Sequence, residues 1–258
     1  MDFIRIKDFN LQHTIESGQI FNYEKINDGY LIKQGKGFFV EQKGNKLYYK
    51  GNKNFIINFL SLDENFESIK THLRKDKKTR EAFEKYEGLR ILRQDLWECL
   101  ISFVCSSASN IPKIKKNIKL LSEKFGVNGK FPQVGTINNL KLIQECKTGF
   151  RAKYIYEINK IVNKNWINKV KKANYLKAKE MLISLPGIGE KIADCVCLFA
   201  LGHYNSFPID VWIKRIMEEE YLKKKSSMNE IQKFAQKKFS PYAGYSQQYL
   251  YHWRRLKK

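Results

Sequence analysis

The feature that most restricts the fold is a change in hydrophobic period near residue 63. Before it, the stretch "GYLIKQGKGFFVEQKGNKLYYKG" supplies three short β-favouring runs, Tyr30 to Ile32, Phe38 to Val40 and Leu47 to Tyr49, separated by Gly, Asn and Lys turns. Aromatic and β-branched runs punctuated in this way specify an antiparallel meander. After it, apolar residues recur every three or four positions, which places them on one face of a helix. In "LRQDLWECLISFVCSS" (92–107) this spacing puts Leu92, Leu96, Trp97, Leu100, Phe103 and Val104 on one buried face. Further helical patterns cover about 111–125, 138–145, 151–164, 175–184, 191–201, 211–222, 228–238 and 243–256. The charged stretch "RKDKKTREAFEKYEG" reads as an exposed helix or connector, and Gly88 as a boundary. The expected fold class is α+β, with a small antiparallel β-sheet domain and its connecting helix over 1–87. It packs on a mostly α-helical domain over 88–258.

A chain of 258 residues can bury one or two cores without disulfides or structural metals. No run of about 18 apolar residues marks a membrane span. The N-terminus "MDFIRIKDFNLQHTIESG" lacks the apolar stretch of a signal peptide, so an intracellular, cytoplasmic protein is expected. The five cysteines, 99, 105, 146, 195 and 197, are odd in number and lie among apolar residues, as buried reduced thiols do. Cys195 and Cys197 with His203 make a poor metal set, because positions two apart on a helix diverge. The net charge of +22 implies a polyanionic partner, most simply nucleic acid, although solvated lysine-rich faces give the same count.

Chemistry concentrates in "LPGIGEKIADCVCLFALGHYNSFPID" (185–210). Gly187 and Gly189 form a tight turn between two helical patterns, at about 175–202 in all. Glycines there let main-chain N–H groups approach a phosphate at a helix N-terminus. Lys191 stands in the first turn of the second helix, where aligned dipoles make a poor place for a cation. Pro208 closes the following loop (203–210), and Asp210 precedes "VWIKRIM" as an N-cap. Judged from the residues alone, a capping aspartate and a solvated lysine are the favoured account of the pair.

Taken whole, the segment resembles the helix-hairpin-helix superfamily of DNA base-excision glycosylases. "SGQIF" (17–21), "LRQDLWECLISFVCSS", "GFRAKYI" (149–155) and "PYAGYSQQYLY" (241–251) are similar, in order, to the patterns of 8-oxoguanine DNA glycosylases. The resemblance implies a bifunctional glycosylase and abasic-site lyase acting on damaged double-stranded DNA. Lys191 is then the nucleophile that forms a Schiff base with the deoxyribose, and Asp210 is the catalytic carboxylate, expected to be ionised by its N-cap bonds. The resemblance makes the Gly18 carbonyl the acceptor for the N7–H that 8-oxoguanine has and guanine lacks. It has Gln247 read the Watson–Crick edge of the flipped base, with Tyr251 and Cys195 on its two faces. Gly187 and Gly189 hold the DNA backbone, with Phe150 as wedge and Arg151 as reader of the opposite base.

The chain departs from the pattern slightly at Tyr251, where a phenylalanine is common, and more at three other positions. Ala108 stands where an asparagine fills the vacated stack, Lys113 where an arginine reads the opposite cytosine, and Trp212 where a histidine is common. Relaxed opposite-base preference is expected. No cysteine follows Cys197, so no iron–sulfur cluster is implied. A structural alkali-metal ion at the hairpin is the one cofactor the resemblance allows, and a monomer suffices. Two alternatives stay open: an oxidised-pyrimidine glycosylase/lyase resembling endonuclease III, and a non-catalytic helix-hairpin-helix DNA-binding protein.

Overall fold

Five antiparallel strands form one sheet in the computed structural model, which describes residues 1–35 and 37–257. They are β1 (Asp2–Arg5), β2 (Tyr23–Ile26), β3 (Gly29–Ile32), β4 (Phe38–Lys43) and β5 (Lys46–Lys50), in the order β1-β5-β4-β3-β2. The three expected runs are the central strands, and the two edges are additional. The register pairs Tyr30 with Val40 and Val40 with Tyr49, so one face carries Tyr30, Ile32, Phe38, Val40 and Leu47, all buried. Helices α1 (Leu11–Glu16) and α2 (Lys53–Phe59) cover that face with Ile15, Ile56 and Phe59.

The remaining chain is helical: α3 (Phe66–Leu73), α4 (Lys77–Lys85), α5 (Leu96–Ser106), α6 (Ile111–Phe125), α7 (Leu140–Glu145), α8 (Arg151–Ile161), α9 (Lys164–Lys172), α10 (Tyr175–Ile183), α11 (Glu190–Phe199), α12 (Val211–Ile216), α13 (Met228–Phe239) and α14 (Ala243–Leu256). Helix α5 is the hub, buried from Leu96 through Cys105. It starts at Leu96 and not at residue 92, because Asp95 accepts from Glu98 N at 3.0 Å as N-cap. Leu92 instead belongs to the sheet core, and its N–H donates to Gln19 Oε1 at 2.8 Å.

Three other expectations are corrected. The segment around 74–88 is a helix, one of the two alternatives expected, but only its outer face is exposed, since Ala82, Phe83 and Tyr86 join Tyr245 and Tyr249 of α14 in the helical core. Helix α8 stops at Ile161, and Asn163 caps the separate α9 by accepting from Trp166 N. Helix α12 gives way at Ile216 to a π-helical segment, Met217–Leu222.

At Gly88 the chain crosses the segment before α1 closely. The glycine's φ is +86°, and a Cβ there would meet Asn10 N at 2.6 Å, so only glycine lets the two segments cross. All five cysteines are buried and unpaired. Among the described residues no group of His, Cys, Asp and Glu could hold a metal ion, and no helix is long and apolar enough to cross a membrane.

Candidate active site

The turn between α10 and α11 is shaped by its glycines. Gly187 has φ +74°, and a Cβ on it would fall 2.5 Å from the Tyr154 ring. Gly189 is the N-cap of α11 and faces open space, so the first N–H groups of the helix are reachable by an anion. Buried Asp194 in α11 fastens this hairpin to the loop ahead of α12. Its Oδ1 accepts from Tyr175 OH at 2.7 Å and from Ser206 Oγ at 3.0 Å, and its Oδ2 from Lys179 Nζ at 3.0 Å. Sequence reasoning missed Asp194 and Ser206, whose partners lie on other elements.

A cleft of about 800 Å³ opens beside the hairpin and brings together Gly18, Lys191, Cys195, Asp210, Gln247 and Tyr251. Gly187, Gly189, Ala108 and Trp212 line it too. Lys191 Nζ donates to Ser106 Oγ at 3.3 Å and lies 5.4 Å from the centre of the Phe103 ring. Asp210 caps α12, its Oδ1 accepting from Ile213 N at 2.8 Å. The expectation that this cap depresses its pKa is overturned. Burial pushes the carboxyl above the ordinary aspartate range, against the opposing pull of the Ile213 N–H and the Lys191 charge. Burial likewise raises the Cys195 thiol to about 12, which leaves it a neutral, polarisable wall.

The opposite wall is the turn after α1. Gly18 has φ +84°, and its neighbours are pinned. Gln19 Nε2 donates to Thr14 O at 2.9 Å and Arg90 O at 2.8 Å, while Gln248 Nε2 donates to Ser17 O at 3.1 Å. Gln247 and Tyr251 share one face of α14, four residues apart. Gln247 lines the cleft and is buried, and its Oε1 has no hydrogen-bond partner among the described residues, an unsatisfied acceptor beside the cleft.

Three expected residues stand apart from these. Phe150 is 59% exposed, as a wedge requires. Lys113 is exposed and outside the cleft lining. Arg151 is only 2% exposed and cannot serve in this arrangement as a reader of the opposite base. Its guanidinium is spent on main-chain carbonyls, donating to Ser107 O from Nε at 2.8 Å and from Nη2, to Thr148 O at 3.1 Å and to Ala108 O at 3.0 Å. It thereby holds the turn in which Ala108 takes φ +43°.

Residues 3–100 match the family model described as the 8-oxoguanine DNA glycosylase N-terminal domain. The N-glycosylase/DNA lyase of Saccharomyces cerevisiae is 30% identical over 82% of this chain and 68% of its own length. Among solved structures, MBOgg1 in complex with a low-affinity DNA ligand superposes with a TM-score of 0.92 at 36% identity, covering 98% of this chain and 94% of that one. The 8-oxoguanine glycosylase/lyase of Clostridium acetobutylicum, bound to double-stranded DNA with cytosine opposite 8-oxoguanine, gives 0.90 at 29% identity, covering 99% and 98%. With the hairpin, its lysine, the capping aspartate and the Gly18 wall assembled around one cleft, these likenesses show that the chain belongs to the 8-oxoguanine DNA glycosylase/lyase family.

Proposed function

We propose that this protein excises 8-oxoguanine from duplex DNA and then cleaves the strand at the resulting site. The observation that carries this reading is the convergence of Lys191, Asp210, Gly18 and Gln247 on one cleft. The Gly187–Gly189 turn holds a phosphate, and the base leaves the stack so that C1′ reaches Lys191. As the C1′–N9 bond breaks, its electron pair departs with the base, and the Lys191 amine bonds to C1′. Asp210, ionised, stabilises the positive charge at C1′. Its raised pKa makes it a stronger base than an exposed aspartate, suited to take the proton that Lys191 sheds. Ring opening gives a Schiff base, loss of a C2′ proton follows, and the 3′ phosphate leaves with the C–O bond pair.

Ala108 offers no hydrogen bond to an opposite base and Arg151 is occupied, which supports relaxed opposite-base preference. The hairpin turn 184–189 offers main-chain carbonyls and no carboxylate, a donor set that fits an alkali-metal ion better than a divalent one. Bound there, such an ion supplies charge toward a DNA phosphate. One cleft within one chain supports a monomer, and five unpaired thiols support a reducing, intracellular compartment.

The test is borohydride trapping on duplexes carrying 8-oxoguanine opposite each of the four bases, with thymine glycol as control. A covalent adduct is expected with 8-oxoguanine, of similar yield across opposite bases, and absent for Lys191→Gln. No adduct with 8-oxoguanine, or one that survives Lys191→Gln, rejects the reading.

A further inference from the structure

Arg255 enters the same cleft and has no part in the chemistry above. It lies four residues beyond Tyr251 on α14 and eight beyond Gln247, and so shares their face. Its Nη2 donates to Glu16 O and lies 3.4 Å from His252 Nδ1. The His252 pKa is driven down to about 3, first by burial, so the ring is neutral and its Nδ1 is free to accept. These contacts swing the guanidinium against the Ser17–Gly18 turn, where a Cβ on Gly18 would lie 3.5 Å from Nη1. Nη1 has no hydrogen-bond acceptor among the described residues. Nε is buried without one. A guanidinium fixed on one edge and unsatisfied beside a binding pocket is completed by an oxygen of whatever fills the pocket.

We infer that Arg255 is a specificity-determining residue that donates from Nη1 to a carbonyl oxygen flanking N7 of the flipped base. The inference rests on the proposed function, in which the Gly18 carbonyl accepts N7–H. On an 8-oxoguanine held in that way, O8 and O6 lie on either side of N7, so a donor beside Gly18 meets one of them. Both oxygens share the negative charge that the base acquires when the C1′–N9 bond breaks and its electron pair departs. A fixed cation at either oxygen is therefore worth more in the transition state than in the bound ground state. Arg255 selects purines with an oxo group at this edge and speeds their departure.

Single-turnover excision by Arg255→Leu on 8-oxoguanine duplex is expected to fall about 10- to 100-fold, the loss of one charge-assisted hydrogen bond. Trapping on abasic duplex, which has no base to hold, is expected to fall less than about threefold. Arg255→Gln, which keeps a donor for Glu16 O, serves the same comparison should the leucine variant melt early. An 8-oxoadenine duplex locates the oxygen. If O8 is the acceptor, the variant loses rate on both lesions, whereas with O6 the loss is confined to 8-oxoguanine, because adenine carries an amine at C6. Unchanged 8-oxoguanine excision in both variants, or equal losses on lesion and abasic duplex, overturns the assignment of Arg255. A wild-type protein inert on 8-oxoguanine yet trapped on abasic duplex overturns the proposed function instead.

Discussion

The carboxyl of Asp210 is held above the ordinary aspartate range by burial even while it caps α12, so its ionised form is present at a cost to the fold. A raised folded-state pKa means that stability falls as pH rises from the unfolded value, about 3.9, through the folded one. Asp210→Asn keeps an oxygen for the cap and removes the buried charge. The variant is expected to melt higher than wild type at neutral pH, with the gap closing as pH falls toward 4, a comparison made by thermal denaturation across that range. It should also bind lesion duplex nearly as well as wild type while turning over poorly; unimpaired turnover would remove its assigned role. Lys191, Cys195 and Asp210 were brought together by the family resemblance and not by the residues alone, although a hairpin and one loop fix their relations locally. Their electrostatics were not legible in the sequence, since the burial of Asp210 comes from distant elements. Arg151 was misread for the same reason: its carbonyl acceptors at 107 and 108 lie some forty residues earlier.

Among the elements, two turns that line the cleft carry conformations that their residues treat differently. Ala108 adopts φ +43°, a region that disfavours L-residues by about 1–2 kcal/mol. Ala108→Gly is therefore expected to raise unfolding free energy by about 0.5–1 kcal/mol, after the extra freedom glycine gives the unfolded chain. Gly187→Ala meets both the positive φ and the Tyr154 ring at 2.5 Å. It should lose roughly 2–4 kcal/mol by denaturant titration, and affinity for undamaged duplex along with it. Most helices were legible from their apolar period. Helix α9 was not, because its nine residues KNWINKVKK carry only a single short apolar face, Trp166, Ile167 and Val170, with Val170 alone fully buried. Strand β1 escaped notice because DFIR sits at a sheet edge with its residues mostly exposed, leaving no alternation to read.

Across the whole molecule, the sheet and the helical body are joined by a buried acid. Glu98 Oε1 accepts from Asn22 Nδ2 at 2.8 Å, and burial pushes its pKa up to about 8, so it is protonated at neutral pH. Stability from this group is full below about pH 4.3, declines by about 1.4 kcal/mol per unit as pH rises, and levels off above the folded value. Glu98→Gln should abolish that decline, as the difference between variant and wild-type denaturation curves from pH 5 to 9 will show. The two-part α+β organisation was legible from the change of period. The way the last helix closes the molecule was not, because Tyr245 and Tyr249 reach back to Ile91 N and Leu89 O more than 150 residues away. Those tyrosines occupy one side of α14, whereas Gln247, Tyr251 and Arg255 occupy the other. The helix thus separates what anchors from what discriminates. Substitutions along the discriminating side can retune which damaged base is accepted while the anchoring side keeps the body whole, so lesion preference in this scaffold is free to drift without a matching change in fold.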